Sequence, residues 1–260
     1  MPNSDANADP PSSALAEIAQ RLVMPKRRVR PRTAPQFMSL TPDLIGGVAI
    51  WRAGSGPPIL MVHGWEDDHS LWAPMIDSLI ESGFGVVALD LPGHGYSPAE
   101  CGTVIDCGAS VAGAVAQFGP FHGVIAHSFG CPVSALAMRE HGLLCENVVL
   151  IAAARAQRDQ LNRIAARYGL SAAETAKLIG DFEQRMGRPI DRFDLADWAK
   201  TMTQRALIVH SMDDDACPFE GAEAIAAHWP SSELYLTDQL GHRLVAQDRA
   251  TITRICQFLE

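Results

Sequence analysis

A chain of 260 residues, 47% hydrophobic and 20% charged, has the composition of a soluble globular protein and ample length for a large core. The formal net charge is −9, but residues 1–35 hold six Lys/Arg against three Asp/Glu, a net +3, so the rest of the chain carries −12; that argues against a nucleic-acid-binding body. No apolar run approaches the roughly 20 residues needed to cross a bilayer, and the polar start MPNSDANADPPSS is neither a secretory signal nor a transit peptide, so the expected compartment is the cytoplasm.

Taken in chain order, residues 1–13 read as disordered: small, polar and proline-containing. Over residues 14–24, Leu15, Ile18, Ala19 and Leu22 recur at helical spacing and predict a short amphipathic helix that docks on the body or on a partner. The basic run that follows (Lys26, Arg27, Arg28, Arg30, Arg32) keeps the chain extended to about Pro35. It reads as a solvated linker or as a strap on the acidic body; an acidic partner or a membrane surface is the alternative. The domain expectation is a disordered, basic N-terminal extension over 1–35, holding the short helix, and one folded domain over 36–260.

From there the pattern alternates. Apolar, β-branched runs at GGVAIW, PPILMVHG, GVVALDL, GVIAHS, NVVLIAAA, ALIVHSM and ELYLTD are separated mostly by stretches of helical period, such as SLWAPMIDSLIESG. This predicts an α/β fold, a mostly parallel doubly wound sheet of about eight strands with helices on both faces. The segments near FMSL and GGVAIWRAG are expected to add an antiparallel edge. Residues 155–204 carry no strand signal and read as two or three amphipathic helices, one opened by the capping box Ser171/Glu174. An insertion there lies over the carboxyl edge of the sheet, where open α/β sheets place their sites, and is a candidate cap. The six cysteines (Cys101, Cys107, Cys131, Cys145, Cys217, Cys256) form no metal-like spacing and read as scattered reduced thiols; no metal and no organic cofactor is expected.

The segment VIAHSFGCP places Ser128 where a strand turns into a helix. A serine on such an elbow presents its hydroxyl clear of the sheet, provided that the residues two before and two after are small; Ala126 and Gly130 are. An attacked carbonyl then needs two N–H donors for its oxyanion. The Phe129 amide at the start of the helix is one, and the Trp65 amide, after the strand ending His63-Gly64, is the second. A base and an acid must follow. His242, after Gly241 and the last strand run, is the candidate base, and any of Asp213, Asp214 and Asp215 in the loop after ALIVHSM is placed to orient it.

Together, strand-His63-Gly64, Asp90-x-Pro92-Gly93-His94-Gly95-x-Ser97, the elbow, the acidic loop and the terminal Gly241-His242 resemble the α/β-hydrolase superfamily, in the subgroup with an HG oxyanion motif and a helical cap. The resemblance covers residues 36–260. It implies a Ser128–Asp214–His242 triad, because Asp214 falls in register with the family's acid, and an oxyanion hole formed by Trp65 and Phe129. The chain departs from the pattern at Ala126, Cys131 and Ser211, where glycines are usual, and at Glu66-Asp67-Asp68, acids that would repel an anionic substrate or point to solvent. The implied function is a serine hydrolase of carboxylic esters of a small-molecule acyl substrate. Thioester or carbon–carbon bond cleavage on the same triad is the alternative, as is a non-catalytic ligand-binding protein on the hydrolase fold.

Overall fold

The computed structural model describes residues 12–28, 41–100 and 102–260. The expectations for residues 1–11, for FMSL, for Arg30, Arg32 and Pro35 and for Cys101 lie outside the described residues. The helix expected over 14–24 is α1, Ser12–Arg21. It ends three residues early in a turn in which Val23 N–H and Met24 N–H both donate to Gln20 O (3.1 and 2.9 Å), because Pro25 bars Met24 from helical backbone.

Eight strands form one sheet, β1 (Asp43–Ile45), β2 (Val48–Ala53), β3 (Pro58–Val62), β4 (Gly85–Asp90), β5 (Phe121–His127), β6 (Cys145–Ile151), β7 (Arg205–Ser211) and β8 (Ser232–Thr237), in the order β1-β2-β4-β3-β5-β6-β7-β8. All seven apolar runs of the sequence are strands. β2 pairs antiparallel with β4, and every pairing from β4 to β8 is parallel. The antiparallel edge is completed by β1, a three-residue strand without an apolar signature. The hairpin registers Ile45 on Val48 across Gly46 and Gly47. Both glycines take positive φ (57° and 78°), as a two-residue hairpin turn matching strand twist requires.

Helices α2 (Ala73–Glu81), α3 (Val104–Val115) and α4 (Gly130–Glu140) follow β3, β4 and β5. After β6 come α5 (Gln157–Arg167), α6 (Ala172–Met186) and α7 (Leu195–Ala199); α8 (Glu220–His228) follows β7, and α9 (Gly241–Leu244) and α10 (Arg249–Leu259) follow β8. Side chains alternate strictly across the sheet. Leu60, Val62, Val124 and Ala126 face a core closed by α3, α4 and α8, whereas Ile59, Met61 and Ile125 face one closed by α2 and α10. A sheet buried on both faces explains why its strands read as unbroken apolar runs. Among the described residues no helix is long and apolar enough to cross a membrane.

The helices of 155–204 stand over the carboxyl ends of the strands. α6 is opened by the expected capping box, Ser171 accepting from the Glu174 amide and Glu174 from the Ser171 amide, and closed by Gly187 in left-handed backbone. α1 lies on α6: Leu15, Ile18 and Ala19 pack with Leu178 in a small apolar cluster of their own. Burying a leucine or isoleucine contributes about 1.5–3 kcal/mol, which holds the N-terminal segment on the body.

Candidate active site

Ser128 has φ 51°, a left-handed backbone that costs a serine about 1–2 kcal/mol. It is held there from both sides: its N–H donates to Ile151 O on the neighbouring strand, and its carbonyl accepts from Cys131 N–H (both 2.9 Å). The small residue after the serine is a steric necessity, since a Cβ on Gly130 would stand 2.3 Å from Val62 O. At Ala126, by contrast, a methyl is accommodated in the core.

The structure brings Ser128, His242 and Asp214 into one relay. Ser128 Oγ–H donates to His242 Nε2 at 2.9 Å, and His242 Nδ1–H donates to Asp214 Oδ2 at 2.7 Å. Among the three aspartates left open by the local sequence, Asp214 is the one on the imidazole. Its other oxygen accepts the Ala216 and Cys217 amides, both at 2.9 Å. Burial pushes the Asp214 carboxyl up, but hydrogen bonds from His210 and His242, His242's charge and the Cys217 amide outweigh it and hold the group well below the usual carboxylate range. Asp213 acts elsewhere: it accepts from Ser211 Oγ–H and, at 3.0 Å, from Gly241 N–H, fixing the turn that carries His242. Asp215 is exposed.

Trp65 and Phe129 line the same cavity as Ser128, and neither amide donates to a group among the described residues. Their rings meet edge to face at 5.2 Å. Gly64 lies so close behind them that a Cβ there would be 3.0 Å from both Ser128 Cβ and His127 Nδ1.

The other residues of the resemblance build the frame. His63 accepts Leu91 N–H and donates to Gly64 O (2.9 and 2.7 Å), buried and neutral. Asp90 accepts the His69 and Tyr96 amides, both at 2.7 Å, while Ser97 ties Asp90 O to Ala49 N–H. Cys131, where a glycine is usual, is fully buried with its thiol directed at Ala126 O and Ile151 O. Cys217 borders the cavity, yet burial and the neighbouring Asp214 charge push its thiol up to about 12, which leaves it no nucleophile. The three acids after Trp65 neither face the reacting centre as free charges nor dangle in solvent. Glu66 accepts from Lys26 N–H and Arg28, Asp67 holds Arg243 through two bonds of 3.0 and 3.1 Å, and Asp68 caps the short 3₁₀ turn at His69–Trp72.

Two histidines escaped the sequence reading. His127 donates from Nε2 to His242 O at 2.8 Å, and His210 donates from Nε2 to Cys217 O at 2.7 Å with Asp214 Oδ2 at 3.2 Å. The first fixes the backbone of His242 and the second braces the loop that carries Asp214. Their positions were signals: His127 immediately precedes Ser128, and His210 stands four residues before Asp214.

Ser128, Trp65 and Phe129 open onto a cavity of about 150 Å³, whose walls include apolar side chains of the helices of 155–204, among them Leu161, Ile164 and Phe182. Among the described residues no cluster of His, Cys, Asp and Glu is placed to hold a metal ion.

Residues 57–177 match the family model described as the alpha/beta hydrolase fold, and the strand order, elbow and Ser-Asp-His order agree with it. The chain has the α/β-hydrolase fold, and the family model matches this one stretch of it. Over 103 residues, 40% of this chain and 38% of the relative, it is 31% identical to a pimeloyl-[acyl-carrier protein] methyl ester esterase of Methylococcus capsulatus. Over 90 residues, 32% of this hydrolase-fold chain and 23% of the relative, it is 39% identical to the dihydrolipoyllysine-residue acetyltransferase component of an acetoin cleaving system of Cupriavidus necator. The matches thus span well under half the length of these curated relatives. An esterase from Exiguobacterium antarcticum superposes with a TM-score of 0.64 at 18% identity, over 82% of this chain and 96% of that one, a likeness of fold.

Proposed function

We propose that this α/β hydrolase cleaves a carboxylic ester through an acyl-enzyme intermediate, with Ser128 as nucleophile, His242 as general base and acid, and Asp214 as its orienting carboxylate. The observation that carries this reading is the continuous relay Ser128 Oγ–His242–Asp214 at the mouth of an apolar cavity. His242 Nε2 takes the hydroxyl proton as Oγ attacks the carbonyl carbon, and Asp214 fixes the tautomer and stabilises the imidazolium. The amides of Trp65 and Phe129 bind the oxyanion; losing one such donor costs about 3 kcal/mol of barrier. His242 then protonates the departing alcohol, and a water deprotonated by the same nitrogen releases the acid. In this reading the helices of 155–204 are the cap over the substrate, a small-molecule acyl ester. The esterases among the similar proteins agree with it, though their substrates belong to them.

The test is covalent labelling of the pure protein with a fluorophosphonate, read by intact mass beside Ser128→Ala. One adduct on the wild type and none on the variant is expected, with ester turnover in the variant down by about 10⁵-fold or more. A folded wild type that takes up no label would put the ligand-binding reading in its place.

A further inference from the structure

The geometry points to Leu22, on the N-terminal segment, as the residue that sets how long an acyl chain the cavity accepts. This rests on the ester-hydrolase reading above and goes beyond it, because residues 12–28 lie outside the stretch that matches the hydrolase family model, 57–177.

The segment is pinned at two ends. On the cap side, Leu15, Ile18 and Ala19 of α1 are buried against Leu178 of α6. On the other side, Lys26 N–H donates to Glu66 Oε1 at 3.2 Å, and Arg28 reaches Glu66 Oε2 at 3.3 Å. Glu66 directly follows the candidate oxyanion donor Trp65 and has left-handed backbone, φ 54°. The chain therefore runs as a strap from cap to oxyanion loop, and the turn between the two anchors carries Leu22. Its N–H donates to Ile18 O at 3.1 Å, and its side chain packs on both the main core and the small strap cluster. It lines the same cavity as Ser128, Phe129, Ile164 and Phe182.

The side of the substrate follows from what the cavity omits. Ser128, Trp65 and Phe129 line it, and His242 does not. The leaving oxygen must come within hydrogen-bond reach of His242 Nε2 to be protonated, so the alcohol departs on the histidine side. The cavity beyond Phe129 is left for the acyl group. An apolar wall there is felt methylene by methylene, each worth roughly 10-fold or more in selectivity. Leu22 is the strap's contribution to that wall, and the acids that looked out of place beside the oxyanion hole supply, through Glu66, the anchor that holds it.

The experiment uses the full chain and a ladder of p-nitrophenyl esters from acetate to dodecanoate, with kcat/KM measured for wild type, Leu22→Ala and Leu22→Phe. Leu22→Ala is expected to raise the long-to-short selectivity ratio by about 10-fold, and Leu22→Phe to lower it by a similar factor. Should Leu22→Ala loosen the strap, Leu22→Phe keeps the apolar contact with the cap and still reads the wall. Ratios within about twofold of wild type in both variants, or a parallel loss on every ester, would overturn the assignment and leave Leu22 a packing residue. A wild type that hydrolyses no ester and takes up no fluorophosphonate overturns the hydrolase reading and this one with it. Labelling with unchanged ratios overturns only this one.

Discussion

The cavity has two kinds of wall. On one side Ser128, Asp214 and His242 follow the carboxyl ends of strands β5, β7 and β8; backbone hydrogen bonds fix the first two, and the His127 imidazole and the Asp214 carboxylate fix His242. On the other, Leu161, Ile164, Phe182 and Leu22 come from the helices of 155–204 and the N-terminal segment, where apolar packing and partly exposed ion pairs join hydrogen bonds such as Lys26 N–H to Glu66 in holding them. The reacting side is positioned by directional bonds and a rigid sheet, which tolerate little displacement. The binding side is positioned by area, which tolerates substitution and can be reshaped without touching the chemistry.

The sharpest way to break that contrast is to change the reacting wall by a single atom. Asp214→Asn keeps the shape but offers an amide to His242 Nδ1 and favours the wrong tautomer, so kcat should fall by about 10⁴-fold. Asp213→Asn, one residue away, alters only the turn at Gly241 and should cost less than about 10-fold. Equal losses in steady-state ester hydrolysis would mean that the two carboxylates share the role.

The two walls also differed in what the sequence disclosed. The strands were legible because a sheet covered on both faces demands continuous apolar runs, and β1 was not, because two of its three residues are exposed. The reacting wall was legible because each group sits at a strand end beside a residue that its backbone requires: Gly130 after Ser128, Gly241 before His242. The local pattern could not choose among Asp213, Asp214 and Asp215; the family register did, and the 2.7 Å bond to His242 agrees with it. What stayed hidden were contacts between segments far apart in the chain, such as His127 with His242 O or Leu22 with the cavity. No periodicity or spacing encodes them, because each exists only once two separately specified elements have docked.

Acid should weaken the reacting wall first, since it is where buried imidazoles are concentrated. Burial and the nearby His63 lower His94 to about 4, and burial with the nearby His242 lowers His127 to about 4. Unfolding returns each to its ordinary value near 6.5. Between those values the unfolded chain takes up protons that the folded chain refuses, so stability is full above about pH 6.5 and is lost as pH falls toward 4, by about 3 kcal/mol for each histidine. Guanidinium midpoints should therefore drop steeply across that window, and the drop should be shallower in His127→Gln. Identical slopes would show that His127 takes up its proton without unfolding.

The smallest expected effect tests whether the two loops of the reacting wall are held together or merely lie side by side. Arg243, next to His242, grips Asp67, two residues beyond Trp65, through the Nε and Nη2 edge of its guanidinium; Asp67 is 7% exposed and Arg243 41%. A partly exposed pair of this kind contributes about 1 kcal/mol. Arg243→Gln and Asp67→Asn should each lower kcat by roughly 3- to 10-fold, about 1 kcal/mol of barrier, with KM nearly unchanged, because oxyanion donor and base drift relative to each other rather than to the substrate. If the pair acts as one clamp, the double variant loses no more than either single one, and a double-mutant cycle returns a coupling close to the full effect. Additive losses would mean that each loop is positioned independently. Unchanged kcat with lower melting temperatures would move Arg243 and Asp67 to the packing side of the comparison.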